Sequence, residues 1–362
     1  MSADPTIPAE KRSPLDGDAS GTHSPRPSMI HPVSAQAPAK TGHLGVLDGW
    51  RALCILMVIA GHQLPINAII PGGNSAIAAG GMAIFFTLSG FLITRFLWER
   101  PEPRPFLIRR VMRILPLAWL AMLGLFLAQR SESSFEELIA NLLFYSNLPP
   151  SRLFEGGGHL WSLSVEMHFY TAIAAIVAVF GRRGLLVVPV CAAAVTIARI
   201  YAEQRISIVT WHRVDEILAG STVALIYLGA FGKRPLAILK GVNFYVALLL
   251  ATACVYFLDS PLAYGRPYAV ALLVATSLWG LPTLLKPIFE SRPAAYIAKI
   301  SYALYVFHVI LDHTWLGSGD TLAKYAKRPL LFAATWLAAH VSTHYWEDRF
   351  IRLAKKWTTK PS

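Results

Sequence analysis

Charged side chains are scarce in this sequence. Only 15% of its 362 residues are Asp, Glu, Lys or Arg, whereas 54% are hydrophobic. Ordinary soluble domains carry about 25% charged residues, and the apolar residues here are gathered in long runs. The composition therefore excludes an ordinary soluble protein and predicts a polytopic membrane protein. The net charge of +12 fits lysine and arginine in cytoplasmic loops, so we expect no nucleic-acid partner.

Cysteine is also rare. The three cysteines, Cys54, Cys191 and Cys254, all lie inside apolar runs and none are at metal-ligand spacing. We interpret them as small buried residues with free thiols. The sequence also lacks the HExxH pattern of zinc enzymes, and we predict no metal site.

The first 43 residues lack an apolar run. They are rich in Pro, Ser, Ala and Gly, which is typical of a disordered segment. A secretory signal would place its apolar core close to the N-terminus, so we expect residues 1–43 to form a disordered cytosolic tail. Residues 44–352 then make up a membrane domain, and residues 353–362 a short basic cytosolic tail.

The apolar runs after residue 43 are long enough to cross a bilayer. A spanning helix needs about 20 apolar residues, and the predicted fold class is an all-α polytopic membrane helix bundle with about ten transmembrane helices. With alternating helices and both termini cytoplasmic, most of the 33 Lys and Arg residues fall on the inner side, as the positive-inside rule requires. The candidate segments are 46–67, 76–98, 111–129, 160–180, 184–200, 213–230, 241–258, 266–283, 295–314 and 329–350.

The stretch 46–65 carries two polar side chains that are costly inside a bilayer. Arg51 and His62 stand eleven residues apart in VLDGWRALCILMVIAGHQLP. Eleven residues make about three helical turns, so both side chains share one helix face, about 16 Å apart along the axis. Ionisable residues within spanning helices mark functional sites by default. This face is therefore the candidate for the chemistry.

More arginines are expected on the side of Arg51. The segment FLIRRVMRILP contains Arg109, Arg110 and Arg113 before the third spanning helix, at the inner membrane face. The guanidinium fork suits phosphate groups. The alternative interpretation is structural. Arg109, Arg110 and Arg113 would then be ordinary positive-inside residues, and Arg51 would be a side chain that snorkels to the lipid headgroups.

Histidine and carboxylate groups are expected on the opposite, outer side. The segment HLWSLSVEMHFY places Glu166 near the depth of His62, and Ser301, Tyr305 and His308 form an i, i+4, i+7 stripe in ISYALYVFH. Histidine suits proton transfer from a hydroxyl, and a carboxylate beside it would fix its tautomer. The pattern predicts a phosphorylated donor bound from inside and a hydroxyl acceptor near the outside.

These segments together resemble acyltransferase family 3, the integral membrane acyltransferases of bacterial glycans and macrolides. The opening stretch is similar to their LDGxRxxAxxxVxxxH motif, and RRVMRILP to RRxxRIxP. HLWSLSVEMHFY is similar to WSLSVEEQFY, ISYALYVFH to ISYSLYLxH, and YWEDRF to a closing YxxE[RK]P. The resemblance covers residues 44 to 350 and identifies 44–352 as a membrane acyltransferase domain.

The resemblance implies O-acyl transfer from an acyl-CoA, by base rate acetyl-CoA, with no permanently bound cofactor. The implied acceptor is a carbohydrate hydroxyl, as in exopolysaccharide, O-antigen or a lipid-linked sugar, and the implied location is a bacterial inner membrane. His62 would be the catalytic base, and Glu166 would orient or support the site. Arg51, Arg110 and Arg113 would hold the CoA phosphates, and Ser301, Tyr305 and His308 would contact substrate.

Departures from the family pattern leave the acceptor open. Met167 and His168 replace the second glutamate and the glutamine of SVEEQF, and Phe350 replaces the closing proline. A small-molecule or macrolide acceptor is the alternative, and a membrane transporter is a further one. Arg213 and Asp215 resemble a recurrent Arg-x-Asp of the family, and a structural ion pair explains them equally well.

Overall fold

The structure is a computed structural model that describes residues 44–129, 131 and 133–359. The predicted tail 1–43 and the last three residues lie outside this part of the chain. Within it every regular element is helical. The α-helices are α1 Gly45–Gln63, α2 Gly73–Glu99, α3 Pro103–Ala128, α4 Phe135–Leu142, α5 Trp161–Phe180, α6 Val188–Tyr201, α7 Thr210–Arg213, α8 Asp215–Tyr227, α9 Lys233–Gly241, α10 Phe244–Tyr256, α11 Arg266–Gly280, α12 Lys286–Phe289, α13 Arg292–Asp312, α14 Thr321–Ala326, α15 Arg328–Val341 and α16 Asp348–Thr358.

Among the described residues, five helical stretches are long and apolar enough to cross a membrane: α1, α2, α3, α13 and the continuous stretch Gly158–Tyr201, which contains α5 and α6. The bent pair α9 and α10, which meet at 84°, raises the number to six. Each of the ten predicted segments contains a helix, but the number ten is not confirmed. Helices such as α8 and α10 have 13 residues, which at 1.5 Å per residue is about 20 Å, short of a 30 Å hydrocarbon layer.

Glycine allows α2 and α8 to cross in backbone contact. A Cβ added to Gly90 would lie 1.9 Å from the carbonyl oxygen of Ile217, and one added to Gly220 would lie 2.0 Å from that of Thr87. No larger residue fits at either position, since real Cβ atoms stay beyond about 3 Å from such oxygens. Small residues bring membrane helices together in this way, because close backbones gain van der Waals contact without a hydrophobic driving force.

Helix α1 lies between α2 and α13. At its end, Gln63 Nε2 donates a 2.6 Å hydrogen bond to the carbonyl oxygen of His308, which ties α1 to α13. The last helix, α16, packs along α3, where Arg109 Nε donates to Thr358 Oγ1 at 2.8 Å. The predicted domain boundary at residue 352 falls inside this helix.

Candidate active site

The face of α1 that carries Arg51 lines a narrow internal cavity. The residues of α1 in this wall run from Arg51 through Cys54 and Ile55 to Val58. Arg110, Arg113 and Glu166 are the other charged residues of the lining. We call this the arginine cavity. Its volume is about 70 Å³, so it holds a thin chain or a few water molecules.

A larger cavity opens at the other end of α1. Its volume is about 630 Å³, and its wall includes His62, His159, Trp161, Arg213 and Asp312. We call it the histidine cavity. Met82 and Tyr305 line both cavities. The two spaces are therefore neighbours, separated by two side chains.

A third cavity adjoins the arginine cavity on the far side from His62. It measures about 470 Å³ and is lined by basic residues from α3, from α16 and from the link between α2 and α3, without an acidic residue in its described wall. We call it the basic pocket; its cations are Arg100, Arg109, Arg110, Arg113 and Lys355. Arg110 and Arg113 also line the arginine cavity. A row of three cavities thus leads from five cations to His62.

The ring of His62 is held by a second histidine. His308 is fully buried, and its Nδ1 lies 2.7 Å from the carbonyl oxygen of Tyr305. A carbonyl only accepts, so Nδ1 of His308 carries the proton and Nε2 of the neutral ring is an acceptor. His62 Nδ1 lies 2.9 Å from that Nε2 and must donate to it. The lone pair of His62 is therefore on Nε2, the nitrogen free to take a proton.

Tyr305 and His159 form the wall beside this pair. The Tyr305 hydroxyl donates to the carbonyl oxygen of His159 and accepts from Ser162 Oγ at 2.6 Å. His159 Nε2 lies 3.1 Å from the carbonyl oxygen of Val306 and donates to it. The Nδ1 atom of His159 has no hydrogen-bond partner among the described residues. The neutral ring of His159 therefore has its unprotonated nitrogen buried in the wall of the histidine cavity, without a partner among the described residues.

Glu166 lies with the arginines rather than beside His62. It is buried, accepts a short hydrogen bond from Ser89 Oγ, and lines the arginine cavity. The expectation that it sits near the depth of His62 is not met. Its partner Ser89 is on α2, and both residues line the arginine cavity with Arg51 and are absent from the described wall of the histidine cavity. His308 supplies the tautomer-fixing contact expected of a carboxylate.

The predicted stripe on α13 is divided between the cavities. Ser301 lines the arginine cavity, with its Oγ bonded to the carbonyl oxygen of Ala298 at 2.9 Å. Tyr305 stands at the junction of the two cavities, and His308 lies behind His62. Arg51 keeps a 3.7 Å contact with Asp48 and remains partly exposed. Seven of the eight predicted site residues thus line the row of cavities, and the eighth, His308, is buried directly behind it.

Sequence reasoning missed three residues on this path. Ser89 lies within an apolar run that predicts an ordinary spanning helix, and Lys355 lies in the segment 353–362 that was predicted to be a short basic tail. Nothing in the sequence signals their contacts. His159 precedes the WSLSVE segment by two residues, and a histidine so close to a motif at the start of an apolar run is a signal that could have been used. No group of three His, Cys, Asp or Glu side chains in the described ranges is arranged to hold a metal ion.

A family model described as an acyltransferase domain matches residues 44–343. The chain is 26% identical to the peptidoglycan O-acetyltransferase OatA of Listeria monocytogenes, over 83% of this chain and 54% of that protein. It is 26% identical to the putative peptidoglycan O-acetyltransferase YrhL of Bacillus subtilis, over 72% and 47% respectively. Nodulation protein 10 of Rhizobium leguminosarum is 22% identical, over 67% of this chain and 74% of that one.

The chain spans about half the length of the two peptidoglycan O-acetyltransferase relatives. No solved structure matches it. The resemblance read from the motifs is confirmed, because the family model covers most of the folded chain.

Proposed function

Since this chain belongs to acyltransferase family 3 and is a membrane O-acyltransferase, we propose that it moves an acetyl group from acetyl-CoA to a hydroxyl of a cell-envelope carbohydrate. One observation carries the proposal: a row of cavities joins a cluster of arginines to a histidine whose free nitrogen is fixed. The donor enters at the basic pocket, on the cytoplasmic side of a bacterial inner membrane, and the acceptor enters at the histidine cavity.

The basic pocket suits the phosphates of coenzyme A. Arg110 and Arg113 line both this pocket and the arginine cavity, so a phosphate held between them leaves the rest of the donor pointed inward. Arginine binds phosphate through paired N–H groups, and such charge-assisted bonds are roughly twice as strong as neutral ones. The arginine cavity is narrow, which suits the slender pantetheine arm and excludes most water. Arg51 lies along its wall and guides the arm.

His62 is the general base. Its Nε2 takes the proton of the acceptor hydroxyl while that oxygen attacks the thioester carbonyl carbon. The carbon–sulfur bond then breaks, and the proton on His62 passes to the CoA thiolate. His308 holds the reactive tautomer and stabilises the imidazolium that forms, because its Nε2 accepts from His62 Nδ1 throughout.

Glu166 serves the donor side of the reaction. Its carboxylate lies among Arg51, Arg110 and Arg113 on the same cavity wall, and Ser89 fixes its orientation. A carboxylate in this position spaces the guanidinium groups and keeps them from repelling one another when no donor is bound. Ser301 and Tyr305 line the passage that the acyl group follows.

The test uses membranes containing the wild type or the His62→Ala variant. Labelled acetyl-CoA is supplied with extracted envelope glycans, and both glycan label and free CoA are measured. We expect His62→Ala to insert and accumulate normally but to lose transfer by at least about 100-fold, since general bases typically contribute 100- to 10,000-fold. His212→Ala, which changes a partly exposed histidine outside the three cavities, is the matched control and should remain active.

The readouts separate the parts of the proposal. Glycan label that depends on His62 supports the donor, the acceptor class and the base together. Free CoA without glycan label points to another acceptor, such as a small molecule or macrolide. If folded wild-type protein yields no glycan label and no free CoA, acyl-CoA is refuted as the donor.

A further inference from the structure

Five charged side chains form a buried cluster next to the histidine cavity. Arg199 pairs with Asp215, while Glu216 is shared by two arginines: Arg266 Nε lies 2.7 Å from its Oε1, and Arg213 Nη2 lies 3.3 Å from its Oε2. All five are at most 3% exposed. Three guanidiniums face two carboxylates, so the cluster carries one uncompensated positive charge. A buried charge of this kind is costly unless an anion joins it.

Arg213 is the member of this cluster that reaches the cavity. It lines the histidine cavity, whereas the other four are absent from the described wall. Its Nε and Nη1 have no hydrogen-bond partner among the described residues. The guanidinium lies 5.4 Å from the ring centre of Trp161 and 5.8 Å from that of Phe86, which hold its plane in place. The guanidinium of Arg213, held in place and with two buried nitrogens unpartnered among the described residues, therefore belongs to the wall of the space that contains His62.

We propose that Arg213 binds a carboxylate of the acceptor in the histidine cavity. The inference rests on the proposed function, in which that cavity receives the acceptor. A carboxylate matches the guanidinium fork and brings the single negative charge that the cluster needs. A phosphate monoester, with about 1.5 to 2 negative charges near neutral pH, would exceed it. The wall of the histidine cavity also contains the acidic residue Asp312. It is already paired with Arg328 and so does not neutralise the extra positive charge of the cluster.

This arrangement makes Arg213 a specificity-determining residue rather than a reacting one. The nitrogen that takes the proton belongs to His62, and Arg213 holds a different part of the same acceptor. The preferred acceptor is thus an acidic carbohydrate, one that carries a carboxylate on or beside the sugar that is acetylated. A neutral glycan with the same hydroxyl would leave the buried positive charge without a partner.

The first experiment compares one glycan in two forms. Envelope glycans are either mock-treated or converted to amides at their carboxyl groups, and label transfer from acetyl-CoA is measured for each. We expect amidation to lower kcat/KM of the wild type by at least about tenfold, mainly through KM, as the loss of a hydrogen bond to a charged group does. The variant Arg213→Gln should use both forms equally poorly.

Arg213→Gln is suited to this test because it leaves two balanced pairs, Arg199 with Asp215 and Arg266 with Glu216. Arg205→Gln, which removes an exposed arginine from the same region, is the matched control and should keep the wild-type preference. The proposal is overturned if the wild type uses both glycan forms equally, or if Arg213→Gln keeps the preference for the untreated form.

A second measurement does not depend on activity. The melting temperature of the purified protein in detergent is measured with 50 mM glucuronate or 50 mM glucose. Since a ligand stabilises the state that binds it, glucuronate should raise the melting temperature of the wild type and of Arg205→Gln but not that of Arg213→Gln. Glucose should raise the melting temperature of none of the three proteins. An equal shift in Arg213→Gln, or no shift in the wild type, would refute the carboxylate site. If no glycan is labelled, the proposed function fails, and this measurement alone decides the role of Arg213.

Discussion

The histidine pair gives the sharpest prediction about the reaction. His62 Nδ1 and His308 Nε2 are 2.9 Å apart, and His308 Nδ1 is anchored on the carbonyl oxygen of Tyr305 at 2.7 Å. The substitution His308→Leu keeps a similar volume but removes the acceptor for His62. His308→Gln places an amide oxygen near the position of Nε2 and so restores an acceptor.

The size of the effect follows from the hydrogen bond that is lost. Leaving one partner of a buried hydrogen bond unsatisfied costs about 1–3 kcal/mol, and each 1.36 kcal/mol is tenfold in rate. We therefore expect His308→Leu to lower kcat by about 5- to 150-fold, because His62 then populates the unreactive tautomer. The loss should be smaller than that of His62→Ala, and His308→Gln should recover a large part of it.

The assay is steady-state acetyl transfer with acetyl-CoA varied at a fixed acceptor concentration. The effect should appear in kcat, while KM for acetyl-CoA stays within about twofold, because the basic pocket lies at the other end of the path. Protein level and melting temperature serve as controls for folding. A wild-type kcat in His308→Leu, or a His308→Gln variant no better than His308→Leu at equal stability, would refute the tautomer argument.

Two further predictions concern other parts of the path and the fold. Arg113→Gln should raise KM for acetyl-CoA about 10-fold or more with a smaller change in kcat, since a charge-assisted contact is lost. The control Arg104→Gln, which changes an exposed arginine of the same helix, should leave KM unchanged. Equal effects of the two variants in steady-state assays would contradict a phosphate-binding role for Arg113. Gly90→Ala should prevent accumulation of folded protein, because its Cβ would lie 1.9 Å from the carbonyl oxygen of Ile217. Gly124→Ala, with nothing within 4 Å of the added Cβ, should accumulate normally in membranes, and similar yields of the two variants would refute the close crossing.

Helical periodicity was sufficient to predict the face of α1. A spacing of eleven residues fixes the relative direction of Arg51 and His62 whatever the neighbours do, and both side chains line the same row of cavities. The prediction failed for Glu166, because depth along the membrane was inferred from the topology alone. The direction in which a side chain points depends on the rotation of its helix, which is set by packing and cannot be read from depth.

The prediction of the number of spanning helices was limited for the same reason, because local packing cannot be read from the sequence pattern. Apolar runs predicted where helices occur, but helix ends depend on local turns and breaks such as the 84° bend between α9 and α10. The histidine pair was also beyond the sequence, because His62 and His308 are 246 positions apart and nothing in either motif specifies that they meet. Contacts of this range are decided by how α1 and α13 pack.

The narrowness of the arginine cavity has a consequence for the cell. A protein with openings toward both faces of a membrane risks conducting protons and ions, and such a leak would dissipate the gradients on which the cell depends. The segment between the two larger cavities has about 70 Å³ of space, room for only a few water molecules, and Tyr305 and Met82 separate it from the histidine cavity. In the proposed function, the constriction that would admit the slender arm of the donor would also keep the bilayer sealed between turnovers and so preserve its electrical insulation.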